Sequence, residues 1–206
     1  RAHCGIGSGI TLDATGPGEA QEWRAKQAFL YRADAPFQLL ESLRLENGQL
    51  ASVPAPLARV HEAARAFTFA DEAQLPDLLS RLTDVLSALA QTHPRGLHKV
   101  RLLVDDRLRI TAEAAPLPCS PEPIQVSLAT QAMPAADAYI RHKTTRRAAY
   151  APFTPSPGCF DTLLYNAAGE LTEFTIGNLA LQLEGQWYTP PLSCGLLPGV
   201  MRAALL

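Results

Sequence analysis

Residues 141–147 read RHKTTRR, placing Arg141, His142, Lys143, Arg146 and Arg147 within seven positions. A lysine in such company can do chemistry. Its amine forms a Schiff base with an aldehyde when it is neutral often enough. Neighbouring cations, here Arg141, Arg146 and Arg147, favour the neutral form by like-charge repulsion. Three readings of the cluster compete: a nucleic-acid patch, a solvated helix face, and a small-anion site built around a reactive Lys143. Solvation is the commonest fate of a charge run. The chain as a whole has a formal net charge of −2 and a pI near 6.2. Nucleic acid is therefore not expected as a partner, because phosphate binding needs a basic domain and, for single strands, interleaved aromatics.

The elements that must position this lysine come from the hydrophobic pattern. The 206 residues, 47% of them hydrophobic, fit one sizeable domain or two small ones. Asn47-Gly48 between FQLLESLRLE and QL marks a hairpin. PLARVHEAARAFTF reads as a short helix with Pro56 near its start. Leu75, Leu78, Leu79, Leu82, Val85, Leu86 and Leu89 form a 3.6-residue stripe that stops before Pro94 and Gly96. KVRLLVDDRLRITAEA predicts two strands turning near Asp105-Asp106, and IQVSLAT a further strand. DTLLYN and NLALQLEGQWYT add short strands, with turns at Ala168-Gly169 and Glu184-Gly185, and GLLPGVMRAALL runs from a loop into a helix. The sum is an α+β chain of antiparallel hairpins and helices. Cys4, Cys119, Cys159 and Cys194 form no C-x-x-C pair, which argues against zinc and a disulfide framework and for free thiols in a reducing cytoplasm. No apolar run reaches membrane-spanning length, and RAHCGIGSGI has no signal-peptide core. The missing initial Met leads us to expect a piece of a longer protein.

Read together, RHKTTRRAAY, DTLLYNAAGELTEFTIGN and TPPLSCGLLPGVMR resemble the class IV aminotransferase family, the pyridoxal-phosphate enzymes of fold type IV. That family includes branched-chain and D-amino-acid transaminases and aminodeoxychorismate lyase. LLESLRLENG and LARVHEAARAF are similar to its opening strand and its phosphate-contacting helix, so the resemblance spans roughly residues 37–206. It implies a D-amino-acid-aminotransferase-like fold of two subdomains, residues 34–120 and the start of a larger one at 121–206. It also implies that Lys143 holds pyridoxal 5'-phosphate through its amine and that Glu173 faces the pyridine nitrogen and keeps it protonated. Arg59 would pair with the phosphate, as would the backbone N–H groups of Gly199, Val200 and Met201 at a helix start. Thr175, Ile176 and Gly177 would line the same pocket. His142 is expected to be a surface or supporting imidazole, since Lys143 can itself shuttle the proton. The family continues well past its L-P-G helix, so the chain reads as truncated at its C-terminus.

CGIGSGITLDATGPGEAQEWRAK resembles the end of chorismate-binding enzymes, the component I synthases of anthranilate and aminodeoxychorismate. On that resemblance residues 1–33 are a C-terminal remnant of such a domain. Gly7, Ser8 and Gly9 would approach a substrate carboxylate, Glu22 would be a magnesium ligand in the complete domain, and Lys26 would contact substrate. From the residues alone this stretch is a glycine hairpin and an amphipathic helix with Ala20, Trp23, Leu30 and Tyr31 on one face. The two resemblances together imply a fused para-aminobenzoate synthase. The expected reaction is the splitting of 4-amino-4-deoxychorismate into 4-aminobenzoate and pyruvate. The expected assembly is a cytoplasmic homodimer with a glutamine amidotransferase partner for the parent protein and no membrane or nucleic-acid partner. A class IV branched-chain or D-amino-acid transaminase is the nearest alternative, and a non-catalytic truncated domain the next.

Overall fold

The computed structural model describes residues 5, 7, 15–23, 26, 36–118, 122–134 and 138–206. It divides into two compact units, Arg1–Phe37 and Gln38–Leu206. In the first, helix α1 spans residues 16–23, with Pro17 in its opening turn as expected. Glu22 Oε1 meets Lys26 Nζ at 2.5 Å, and the same ammonium donates to the Gly7 carbonyl at 3.1 Å. Cys4, Ser8, Gly9, Leu30, Tyr31 and Cys119, singled out above, lie outside the described residues.

The second unit opens with β1 (Leu39–Glu46) and β2 (Gln49–Leu50), joined by Asn47 and Gly48 at φ of 48° and 78°. Two successive positive φ values are what a type I′ turn demands, and Asn-Gly meets that demand at low cost. Helices α2 (Pro54–Ala66) and α3 (Leu75–Thr92) follow, then β3 (Leu97–Val104) and β4 (Ile110–Pro116). The four strands form one antiparallel sheet, β2-β1-β3-β4. Period-2 alternation sends Leu39, Leu43 and Leu45 of β1 and Val100, Leu102 and Val104 of β3 to one face. The helices cover that face, α2 lying on β1 and α3 on β4. The leucine stripe of α3 supplies Leu75, Leu78, Leu82 and Leu86, all at most 1% exposed.

The rest of the unit is built from β5 (Val126–Leu128), α4 (Ala138–Arg141), β6 (Asp161–Tyr165) and β7 (Leu171–Phe174). Here the expectation of hairpins alone fails. β5 runs parallel to β6, and only β6–β7 is antiparallel. Parallel neighbours need a long crossover, and the chain between them supplies one. That crossover passes through a core of Ala129, Met133, Ile140, Phe153 and Leu164. The chain closes with the hairpin β8 (Leu181–Leu183) and β9 (Gln186–Tyr188), and with α5 (Val200–Leu205). Glu184 and Gly185 turn that hairpin at φ of 50° and 81°.

The basic cluster is tied to the edge of the four-stranded sheet. Because β2 pairs only with Leu45 and Glu46, the other half of that edge of β1 is left open. Residues 143–145 fill it. Leu40 N–H donates to the Lys143 carbonyl at 3.0 Å, Thr145 N–H to the Gln38 carbonyl at 2.9 Å, and Leu39 bridges Thr144 in antiparallel sense. The Thr145 hydroxyl also accepts from Gln38 N–H at 2.9 Å.

Candidate active site

The helix-face reading of the cluster does not survive: α4 ends at Arg141, and Lys143 sits on the extended stretch paired with β1. Thr144 is 2% exposed, and its neighbour Lys143 lies at the wall of a cavity of about 240 Å³. The same cavity is lined by Arg59, Tyr150, Glu173, Thr175, Ile176, Gly177, Gly199, Val200 and Met201. The structure thus brings together every residue that the resemblance placed at the cofactor, from positions 59 to 201.

Each of these side chains is held differently. Burial holds the Lys143 ammonium below the usual lysine range; Arg59, Lys99 and Arg147 push the same way and Glu41 opposes them. This corrects the expectation that neighbours in sequence do the work. Desolvation leads, Arg147 is the one cluster arginine that contributes, and Arg146 is taken up by Tyr139, whose hydroxyl it meets at 2.9 Å. His142 packs edge-on against Phe67, with ring centroids 5.4 Å apart, which fits a supporting imidazole.

Glu173 lies on β7 and is 4% exposed. Burial pushes its carboxyl up to about 7, although the Tyr150 hydroxyl, the Leu197 N–H and Arg147 pull it back. Tyr150 donates to Oε1 at 2.8 Å, while Asn178 Nδ2 and Leu197 N–H both donate to Oε2 at 3.2 Å. A carboxylate offers about four lone-pair positions, so one acceptor site of Oε1 stays open. Asn178 also donates to the Leu197 carbonyl at 2.9 Å. Its amide fills the space beside Gly199: a Cβ built there would fall 1.7 Å from Asn178 Oδ1. Gly199 is extended, at φ −72° and ψ 141°, and caps α5. The first N–H groups of a helix have no intrahelical acceptor, so those of Val200 and Met201 are available at the cavity.

Arg59 is a buried fork already half engaged. Nε and one terminal nitrogen donate to the two oxygens of Glu41 at 2.6 Å each, and NH1 donates to the Pro198 carbonyl at 3.1 Å. Guanidinium carries five N–H groups, so two remain. The turn after β7 is held from behind by Asp161, 3% exposed. Its Oδ1 accepts the Thr175 hydroxyl at 2.6 Å and the Thr175 N–H at 3.2 Å, and its Oδ2 accepts the Ile176 N–H at 3.2 Å. Thr175 and Ile176 therefore line the cavity while their amides point to Asp161. Arg147 donates to the Thr175 carbonyl and lies over the Tyr150 ring at 4.4 Å.

Glu41, Tyr150, Asp161 and Asn178 carry much of this geometry and had no role in the sequence reading. Glu41 did leave a signal. In LLESLRLE it has the same parity as Leu39, Leu43 and Leu45, so a charge there points into the core and needs a partner. Among the described residues, no group of three or more His, Cys, Asp or Glu could hold a metal ion, and no helix is long and apolar enough to cross a membrane.

One cavity of this α+β unit thus gathers a lysine whose pKa burial lowers, a buried carboxyl and the first residues of a helix. Comparison with known proteins gives the class. A sequence model of the family Amino-transferase class IV matches residues 38–206, and the chain belongs to that family. Its fold is that of pyridoxal-phosphate-dependent enzymes. A Schizosaccharomyces pombe protein provisionally named aminodeoxychorismate lyase is 56% identical over 46 residues, which is 22% of this chain and 20% of that protein. The match therefore spans about a fifth of that curated relative. A Mesorhizobium loti structure provisionally named an amino-acid aminotransferase is 31% identical with a TM-score of 0.69, covering 82% of both chains. The 4-amino-4-deoxychorismate lyase of Pseudomonas aeruginosa shares the fold at 22% identity and a TM-score of 0.61, covering 85% of this chain and 69% of its own.

Proposed function

We propose that this chain carries a pyridoxal-phosphate-dependent 4-amino-4-deoxychorismate lyase, giving 4-aminobenzoate and pyruvate. The observation that carries the reading is the shared cavity of Lys143 and Glu173, one amine held towards neutrality by burial and one buried carboxyl with an acceptor position open. These residues fit the cofactor. The two uncommitted N–H groups of Arg59, with those of Val200 and Met201, suit a phosphate. Lys143 suits an aldehyde carbon, and Glu173 suits a pyridine N–H. When bound, the cofactor supplies an electron sink for charge developing on the substrate carbon that bears nitrogen. Lys143 Nζ removes the proton from that carbon. The bond from the ring to the enolpyruvyl oxygen then breaks, enolpyruvate leaves and becomes pyruvate, and the ring gains aromaticity. Glu173, fixed in place by Tyr150, Asn178 and Leu197, would accept the pyridine N–H of the bound cofactor and so keep that nitrogen protonated.

The lyase reading draws support from the Schizosaccharomyces pombe likeness and from the resemblance of residues 1–33 to a chorismate-binding domain. We propose with it a fused para-aminobenzoate synthase, cytoplasmic and homodimeric, that receives ammonia from a glutamine amidotransferase. In the parent protein Glu22 would serve magnesium once freed from Lys26. Residues 34–120 would belong to the small subdomain and 121–206 to the large one. The likeness to the Mesorhizobium loti aminotransferase favours transaminase as the second reading. The test is to add pyridoxal phosphate, reduce with borohydride and map the peptide. Label on Lys143 is expected, and label only elsewhere rejects the site. Release of pyruvate from 4-amino-4-deoxychorismate without a keto-acid acceptor separates lyase from transaminase.

A further inference from the structure

The strand that carries Glu173 has a second side. Side chains alternate along a strand, so Thr172 and Glu173 of β7 point to opposite faces. Glu173 lines the cavity described above, and Thr172 lines a separate space of about 390 Å³. Met133, Arg141, Asn166, Leu192 and Cys194 also border that space. Its volume lies within the range of small-molecule sites.

Two groups in this lining are unused. Thr172 is 1% exposed, and its hydroxyl is buried without a hydrogen-bond partner. A hydroxyl left so costs stability, and a ligand that bonds to it removes the cost. Arg146 is taken up by the Tyr139 hydroxyl and Arg147 by the Thr175 carbonyl, whereas Arg141 makes no side-chain hydrogen bond or salt bridge among the described residues. Arg141 is also the one charged residue that borders the space. Burial, helped by Glu170, pushes the Cys194 thiol up, so it stays neutral. Asn166 spends its amide on Glu170 and on the Cys194 carbonyl. A single cation, an orphaned hydroxyl and the apolar sides of Met133 and Leu192 suit a small acid with a hydrocarbon body.

We propose that this space is an effector site for a small monocarboxylate, whose acid group pairs with Arg141 and Thr172 and whose occupancy shifts the affinity of the cofactor site. Arg141 stands two residues before Lys143, and Thr172 one residue before Glu173. A ligand held by both grips the two chain segments that carry the reactive pair. Linkage then requires effector and cofactor to alter each other's affinity by the same factor. The proposal goes beyond the lyase reading and holds for either reaction.

The chain has two methionines, and each borders one of the spaces: Met133 the proposed site, Met201 the cofactor cavity. Carbon-13 NMR of their methyl groups therefore locates a probe. Cyclohexanecarboxylate added to the cofactor-loaded chain is expected to move the Met133 signal and leave Met201 in place. The neutral cyclohexanecarboxamide should bind about tenfold more weakly, the scale of a charge-assisted hydrogen bond. Arg141→Gln should abolish that difference, and Arg141→Lys should restore part of it. Thr172→Val should weaken the carboxylate about fivefold. It should not lower the denaturation midpoint of the ligand-free protein, since the hydroxyl has no partner to lose. Loaded and cofactor-free chains should differ about fivefold in probe affinity, and saturating probe should change cofactor affinity by the same factor. A shift of Met201 alone, equal affinity for acid and amide, or destabilisation by Thr172→Val overturns the site. Equal probe affinity for loaded and cofactor-free chains overturns its effector role. Pyruvate release tests the lyase reading separately, and its absence leaves these signals as they are.

Discussion

The cavity has two walls made in different ways. The wall that carries Lys143 is hung on β1, whose inner leucines are buried on the face covered by the helices; its buried ion pair is Arg59 with Glu41. The wall that carries Glu173 is a polar lattice: Asp161 behind the turn, Tyr150, Asn178 and the Leu197 N–H around the carboxylate. Apolar packing is non-directional, so it fixes where a strand lies without deciding who holds a proton. Hydrogen bonds decide that, and leaving one unmade in a buried site is costly. One wall should fail by unfolding, the other by losing control of a proton.

The sharpest way to break this contrast is at the ion pair of the first wall. Glu41 is 1% and Arg59 10% exposed at the side chain. Glu41→Ala leaves a guanidinium buried without its partner and should cost about 3–5 kcal/mol in chemical denaturation. A loss below about 1 kcal/mol would show that water reaches Arg59 and that this wall is not closed. Leu82→Ala, at a site 0% exposed, should cost about 3 kcal/mol through the cavity it leaves. It should leave the pH profile of Lys143 labelling where it was, with a midpoint below the ordinary lysine value. A shifted midpoint would mean that the helix layer also sets the chemistry.

On the second wall the expected readout is pH. Glu173 is raised in the folded protein from 4.5 to about 7. The folded chain holds this proton while the unfolded chain has lost it, so the stabilisation is full below pH 4.5 and disappears as pH rises through 7. Across that window the cofactor-free protein should lose about 3 kcal/mol from this group. Glu173→Gln should flatten that part of the stability curve, and an unchanged slope would assign it to other groups. Tyr150→Phe should have the smallest effect, about 1 kcal/mol of stability. It should move the Glu173 carboxyl further up, as read by carbon NMR. A downward move would mean that the hydroxyl is not donating.

Much of the first wall could be read from sequence because its signals are local. Asn47-Gly48 declares its turn through φ, and the α3 leucines repeat at the helical period. Lys143 stood out in the basic run as one of three competing readings, whereas Glu173 was reachable only through family resemblance. Nothing in the spacing of residues 143 and 173 says that they share a cavity, since the path between them includes a parallel crossover that periodicity does not encode. Asp161 was quoted at the head of a strand motif, yet its task, accepting from Thr175 and Ile176, depends on a turn fourteen residues further on. Glu41 was the missed opportunity, a charge in phase with three core leucines.

The pairing of residues 143–145 with the start of β1 has a further consequence. Strand side chains alternate between faces, so a slip of one position would exchange the places of Lys143 and the buried Thr144. The amine would then take a position that is 2% exposed, and a threonine hydroxyl the position of the amine. An insertion or deletion of a single residue between 138 and 143 is therefore a more severe change than most substitutions in the pocket: it would spare every named side chain and still take the Lys143 amine from the cavity wall.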